Sequence, residues 1–351
     1  MATMTIAIDL AKSVFEVAVA DRSNRITDRK RLSRRQLERF IDAQPASHFL
    51  LEACSMANFW GRYLQERGHE VSVLPPHYVA AYRRGNKTDR SDTVALLEAS
   101  RAPDIQPVAI KTPEQQSLQQ LHRLREQWVS TRTARVNSAR AILREYGITL
   151  AGGVAAVRKA IPVIIEDGEQ PLPDAMRAML FTLLEEIQSL DERIAQTERH
   201  IEAYRKADAD ARRLSQVPGL GLLTTTALVA AVGDLRQFRS SRQFAGWLGL
   251  TPRESSSGQR RQLGGITRRG NVYLRKLFIH GGRSALNAAE RKARQGRELT
   301  PLEAWATRTR ARVGPNKAAV ALANKLARRA FAICRDQADY DADNPLATQA
   351  A

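Results

Sequence analysis

The sequence predicts an α/β domain followed by helical ones. Residues 1–110 read as a mixed sheet with helices packed on it, 111–206 as a long helical coiled-coil segment and 207–336 as a mainly helical domain. Three observations predict this. Short apolar runs at strand spacing, divided by turn residues, fill the first 75 positions. Apolar residues at helical spacing dominate from Leu118 to Tyr204. Glycine-punctuated helical stretches follow from Leu214.

The elements follow in order. Thr5 to Asp9 and Val14 to Ala20 read as two strands of a hairpin turning at Leu10–Ser13, with Ile26 to Leu32 as a third. Ser33 is placed to cap a helix. His48 to Cys54 is an apolar strand, Phe59 to Gly68 a helix ending in glycine, and Glu70 to Leu74 a strand stopped by Pro75-Pro76. Thr88 caps a helix to about Ser100. Leu118, Leu121, Leu124 and Trp128 then mark a helix reaching Tyr146. Leu180, Leu183, Ile187, Leu190, Ile194, Ile201 and Tyr204 form a heptad seam, with Thr197 in its gap. An antiparallel hairpin and an intermolecular coiled coil both satisfy that seam. Gly152-Gly153 and Pro171-Leu172-Pro173 mark a link between the two stretches, and residues 337–351 read as a disordered tail.

Composition narrows the function. The 351 residues are 43% hydrophobic and carry a net charge of +18. From Arg253 to Arg335 there are 20 Lys/Arg against 4 acidic residues, a net of +16. Such a block implies a polyanionic partner, with nucleic acid favoured over an anionic membrane surface. No apolar run approaches a spanning helix and no signal peptide precedes Ile6. Cys54 and Cys334 read as reduced packing residues, and no Cys/His cluster has zinc spacing.

Four carboxylates carry the chemistry. Asp9 ends the apolar run Ile6-Ala7-Ile8, and Glu52 ends Phe49-Leu50-Leu51. Carboxylates suit strand interiors poorly and are costly to bury unpaired. Asp89 and Asp92, three apart, share a face in the first turn of a helix, where the dipole favours negative charge. Four converging carboxylates repel one another unless a divalent cation holds them, which points to Mg²⁺ (or Mn²⁺) and phosphoryl chemistry. Lys87 stands beside them to neutralise phosphate oxygens.

Downstream, Pro218-Gly219-Leu220-Gly221 separates two helical stretches in a helix-hairpin-helix-like manner. Gly219 and Gly221 would free backbone N–H groups for a phosphate. A tight helical turn uses the same glycines. Ser255-Ser256-Ser257-Gly258 is followed by Arg260, Arg261, Arg268, Arg269 and Arg275. Cations around a serine stabilise its alkoxide and the charge on a phosphate. A flexible serine linker has the same composition.

Taken together, Asp9, Glu52, Lys87-Thr88-Asp89 with Asp92, Pro218-Gly219-Leu220-Gly221, Gly249-Leu250-Thr251-Pro252, Ser257-Gly258 and Gly270-Asn271 with Leu274-Arg275 resemble one family. In this order and spacing they look like the transposases of the insertion sequence 110 family, relatives of the Piv DNA invertase. The resemblance runs from about Thr5 to about Ala285. It implies a RuvC/ribonuclease-H-like N-terminal domain whose DEDD carboxylates are Asp9, Glu52, Asp89 and Asp92. It also implies a C-terminal transposase domain with a nucleophilic serine. Ser257, immediately before the glycine, matches best, with Ser256 the alternative. The implied partners are donor and target DNA, a guide (bridge) RNA and further copies of the chain, as dimer or tetramer. The implied location is the bacterial cytoplasm at the nucleoid. Two other readings of the same residues are a metal-dependent junction nuclease and a non-catalytic nucleic-acid-binding protein.

Overall fold

Five strands form one mixed sheet in the order β3-β2-β1-β4-β5: β1 (Thr5–Asp9), β2 (Val14–Ala20), β3 (Ile26–Ser33), β4 (His48–Glu52) and β5 (Glu70–Leu74). These come from a computed structural model that describes residues 4–23, 25–86, 88–233, 235–258 and 260–342. β1, β2 and β3 are antiparallel neighbours, whereas β4 lies parallel to both β1 and β5. That order is consistent with a ribonuclease-H-like domain.

Strand parity divides the core in two. Ile6, Ile8, Phe15, Val17, Phe49 and Leu51 point to one face, where α1 (Arg34–Asp42) and α2 (Ala57–Gln65) supply Leu37, Ile41, Trp60 and Leu64. Ala7, Ala18, Ala20 and Leu50 point to the other, under Ala95, Leu96 and Ala99 of α4 (Asp89–Ala99). α3 (Pro76–Val79) follows β5 directly, with Pro75 as its N-cap and Pro76 as its first residue. Small residues under α4 let it lie close to the sheet. Cys54, expected in the packing, is exposed in the turn after β4.

Residues 1–114 form one compact unit and 115–351 a second. In the second, α5 (Pro113–Glu145, begun just before the division) and α7 (Asp174–Ala207) run antiparallel. Their ion pairs show it: Arg125–Glu198, Arg132–Asp191 and Arg135–Glu186 step up one helix and down the other. The α7 seam is buried within the chain, with Leu180, Ile187 and Ile201 at 0% exposure. Val136, Ala139 and Leu143 of α5 pack against Leu180, Leu184 and Ile187. This selects the intramolecular hairpin over an intermolecular pairing of that seam. The supposed link contains a helix of its own, α6 (Val154–Glu166), which packs on α7.

The remaining elements are α8 (Ala209–Ser215), α9 (Leu222–Val232), α10 (Ser241–Trp247), a two-stranded ribbon of β6 (Pro252–Glu254) and β7 (Leu263–Ile266), α11 (Val272–Arg294), α12 (Pro301–Val313) and α13 (Pro315–Asp336). Phe244, Phe278, Leu326 and Phe331 centre their core. An alanine face on α13 allows close approach to α11, where a Cβ on Gly282 would lie 2.6 Å from the Ala319 carbonyl oxygen. The start of the expected tail is anchored rather than loose. Tyr340 N donates to Gln216 at 3.0 Å and its hydroxyl accepts from Arg329 at 3.2 Å. No helix among the described residues is long and apolar enough to cross a membrane.

Candidate active site

Asp9 and Glu52 end neighbouring parallel strands in matching register, one step beyond the Ile8–Leu51 pair. Parity puts both on the Ala7 and Leu50 face, the face covered by α4. Adjacent strands lie about 4.8 Å apart, so the two carboxylates belong to one strand-end cluster. Both are half-buried.

Asp89 and Asp92 stand in the first turn of α4, which packs on β1, β2 and β4. Thr88 builds that helix start. Its hydroxyl accepts from Ser91 N at 3.1 Å, and Thr88 N donates to Ser91 Oγ at 3.0 Å. Asp89 is exposed, whereas Asp92 is 8% exposed and takes Arg83 Nε at 2.5 Å. A buried carboxylate needs a compensating cation, and here a guanidinium provides it. Among the described residues no three His, Cys, Asp or Glu side chains stand close enough to share an ion. Arg83 engages one member of the set. In kind the donors fit a hard divalent cation, since all four are carboxylates, two at neighbouring strand ends and two in the first turn of the helix that covers their face. Lys87 lies outside the described residues.

Sequence reasoning missed three neighbours, Glu16, Arg29 and Arg83. Glu16 pairs across the hairpin with Asp9 and shares its face, as does Arg29 of β3, opposite Ala18. Strand parity, applied to Glu16 and Arg29 as it was to Asp9, carries that signal. No local pattern marks Arg83.

The serine loop belongs to the second unit, at the turn of the β6–β7 ribbon. Ser256 Oγ donates to Glu254 at 2.9 Å and accepts from Gln262 N at 3.3 Å. Arg261 Nε donates to Glu254 at 3.1 Å. The Ser256 hydrogen bond and the Arg261 charge hold the Glu254 carboxyl below the usual range. Ser257 is held by its backbone against Arg260, and its hydroxyl has no hydrogen-bond partner among the described residues. Arg260, Arg261, Arg268 and Arg269 are exposed.

Two expectations are corrected. Arg275, expected on phosphate, is 8% exposed, and its Nη1 donates to the carbonyls of Leu248 at 3.2 Å and Arg269 at 2.8 Å. It closes the loop where Gly270 crosses the end of α10, with room for no Cβ: one would lie 1.8 Å from the Trp247 carbonyl oxygen. Gly219 (φ +94°) is likewise pressed on α11, 2.8 Å from the Gly281 oxygen for an added Cβ. It is a packing glycine. Gly221 stays open and starts α9 without a side-chain cap.

Comparison with known proteins finds two family models and several similar proteins. A DEDD transposase model of the IS110 type matches residues 6–148, and the model described as "Transposase IS116/IS110/IS902 family" matches 211–297. A probable family 20 transposase of Pseudomonas aeruginosa is 39% identical over 336 residues, covering 95% of this chain and 98% of its own. The transposase for insertion sequence element IS1111A of Coxiella burnetii is 35% identical, covering 95% and 90%. That for IS1328 of Yersinia enterocolitica is 33% identical, covering 93% and 96%.

Proposed function

The chain belongs to the IS116/IS110/IS902 family of transposases, and from that membership we propose a site-specific DNA recombinase that cuts and rejoins donor and target DNA through Ser257. The carboxylates Asp9, Glu52, Asp89 and Asp92 serve the same scissile phosphate. The observation that supports this reading is the register of β1 on β4, which sets two strand-end carboxylates on the face covered by α4, the helix whose first turn bears the other two.

Asp9, Glu52, Asp89 and Asp92 would hold Mg²⁺ or Mn²⁺, with Asp92 released from Arg83. Bound there, the ion supplies Lewis-acid stabilisation of the charge that develops on the phosphate. Ser257 Oγ attacks phosphorus and gives its proton to solvent. The bond from phosphorus to the departing sugar oxygen breaks, and that oxygen leaves as a hydroxyl. The phosphoserine link conserves the bond energy for rejoining. The engagement of Ser256 with Glu254 and Gln262 supports Ser257 as the attacking group. Exposed Arg260, Arg261, Arg268 and Arg269 hold flanking phosphates.

A guide RNA that pairs with donor and target DNA completes the reading, supported by the basic block from Arg253 to Arg335. So does a homo-oligomer, in which the carboxylates of one copy meet the serine of another.

The test is excision and insertion from a plasmid carrying the element. Asp9→Asn, Asp92→Asn and Ser257→Ala should each abolish recombination, and wild type should trap a covalent protein–DNA adduct that Ser257→Ala lacks. Strand cleavage surviving in Ser257→Ala would make the enzyme a hydrolytic nuclease. Recombination surviving in Asp9→Asn and Asp92→Asn would remove the carboxylates from the chemistry. Sequencing RNA that co-purifies with the chain tests the guide.

A further inference from the structure

β3 is an edge strand, and its sequence Asp28-Arg29-Lys30-Arg31 alternates across the sheet. Arg29 lies opposite Ala18 and Arg31 opposite Glu16, so both arginines share the α4 face with Glu16 and Asp9. Arg29 is half-buried there, and its Nη1 donates to Thr93 Oγ1 of α4 at 3.3 Å. Thr93 is 0% exposed, and its own hydroxyl proton goes to the Arg90 carbonyl at 3.0 Å. The acceptor for Arg29 is therefore fixed in advance. One N–H of the guanidinium is committed, and among the described residues no carboxylate forms an ion pair with it.

Arg90 precedes Asp92 by two positions and stands exposed on the same first turn of α4. Burial and then the charge of Arg90 hold the Arg29 guanidinium below its ordinary value, and Glu16 only partly offsets them. Two like charges are thus kept together with less negative charge than they need, a step from the DEDD carboxylates. A planar guanidinium with unused N–H donors suits the paired oxygens of a phosphodiester.

We propose that Arg29, with Arg90 beside it, grips a backbone phosphate of the DNA strand that enters the carboxylate end of the sheet. The proposal deepens the recombinase reading and rests on it for the identity of the strand. It gives the first unit a phosphate contact of its own, apart from the basic block of the second. Thr93 sets the angle of Arg29, and Glu16 keeps the two arginines from excess positive charge when no strand is bound.

The experiment is an anisotropy titration of the full chain against a short labelled DNA duplex and an RNA of equal length. It is run in EDTA across a salt series. Arg29→Gln and Arg90→Gln should each weaken DNA binding several-fold at low salt and reduce the log–log salt slope by about 1. Arg29→Lys should keep most of the slope. Because Arg90 is exposed, Arg90→Gln should melt like wild type, and so reads the site even if Arg29→Gln unfolds. The readout is binding without metal or turnover, which separates this test from that of the catalytic carboxylates. Unchanged DNA affinity and slope in Arg90→Gln and in folded Arg29→Gln would overturn the proposal. So would a loss confined to the RNA.

Discussion

Protonating His122 would break a network that joins three helices. The ring of this α5 residue lies 3.0 Å from the hydroxyls of Thr226 on α9 and Tyr273 on α11. Thr226 donates its own proton to the Leu222 carbonyl at 2.6 Å, so it accepts from Nε2–H, and Nδ1 accepts from Tyr273. That arrangement needs a neutral ring. Burial, with Arg125 nearby, pushes the imidazole down from 6.5 to about 4. The sign follows: stability is complete above pH 6.5 and declines as pH falls toward 4, because the unfolded chain takes up the proton first. The total loss is at most ~3.5 kcal/mol, at ~1.4 kcal/mol per pH unit. Urea melts at pH 7 and 4.5 measure it, and His122→Phe should flatten the dependence. Arg275 is the second residue whose role is internal. Arg275→Met should cost about 2–4 kcal/mol by orphaning two carbonyls while leaving the DNA-binding salt slope unchanged. A reduced slope would return Arg275 to the phosphate.

Among the elements, the hairpin of α5 and α7 makes a separate prediction. Its seam is occupied within the chain, yet Val163 of α6 and Met179 and Phe181 of α7 are 65%, 48% and 53% exposed near the turn of the hairpin. Apolar side chains left exposed there suit contact with a second copy, which the proposed oligomer requires. Phe181→Glu and Val163→Glu should shift mass by light scattering toward monomer at unchanged melting temperature. Unchanged assembly would move the contact elsewhere. The strands and helices that the sequence revealed are those with a buried face. β1, β2, β4 and β5 carry apolar residues in register with a core, and Thr88 marks the start of α4 by its own hydrogen bond. α6 was hidden by its punctuation, with Gly152-Gly153 before it and Pro162 inside it. β6 and β7 were hidden for the opposite reason, being solvent-exposed, so no alternation betrays them. In the candidate site, parity puts Asp9 and Glu52 on one face only once β1 is known to lie beside β4, and that is a tertiary fact. Arg275 misled because a charge reads as surface, whereas its burial arises from the glycine crossing at Gly270.

At the scale of the molecule, charge is divided as unevenly as structure. Residues 1–114 hold 17 Lys/Arg against 14 Asp/Glu, which leaves 38 against 23 for residues 115–351. The first unit is thus close to neutral, net +3, and the second carries +15. A near-neutral unit cannot draw a polyanion from a distance, although single arginines in it can grip one that has arrived. Long-range attraction must come from the second unit, and within it from Arg253 to Arg335. Binding there releases condensed counterions, so affinity falls with salt by about 0.9 log units per log of concentration for each phosphate neutralised on duplex DNA. For about six contacts, the full chain should lose roughly 10³-fold in affinity between ~50 and ~200 mM salt. Replacing Arg268 and Arg269 together by Gln should reduce that slope by about 2, since both are exposed and flank the serine ribbon. The same variant should leave anionic vesicles no more weakly bound than before, because the block is expected to serve nucleic acid. A salt profile that stays flat on DNA while vesicle binding falls would reassign the basic block to a membrane surface.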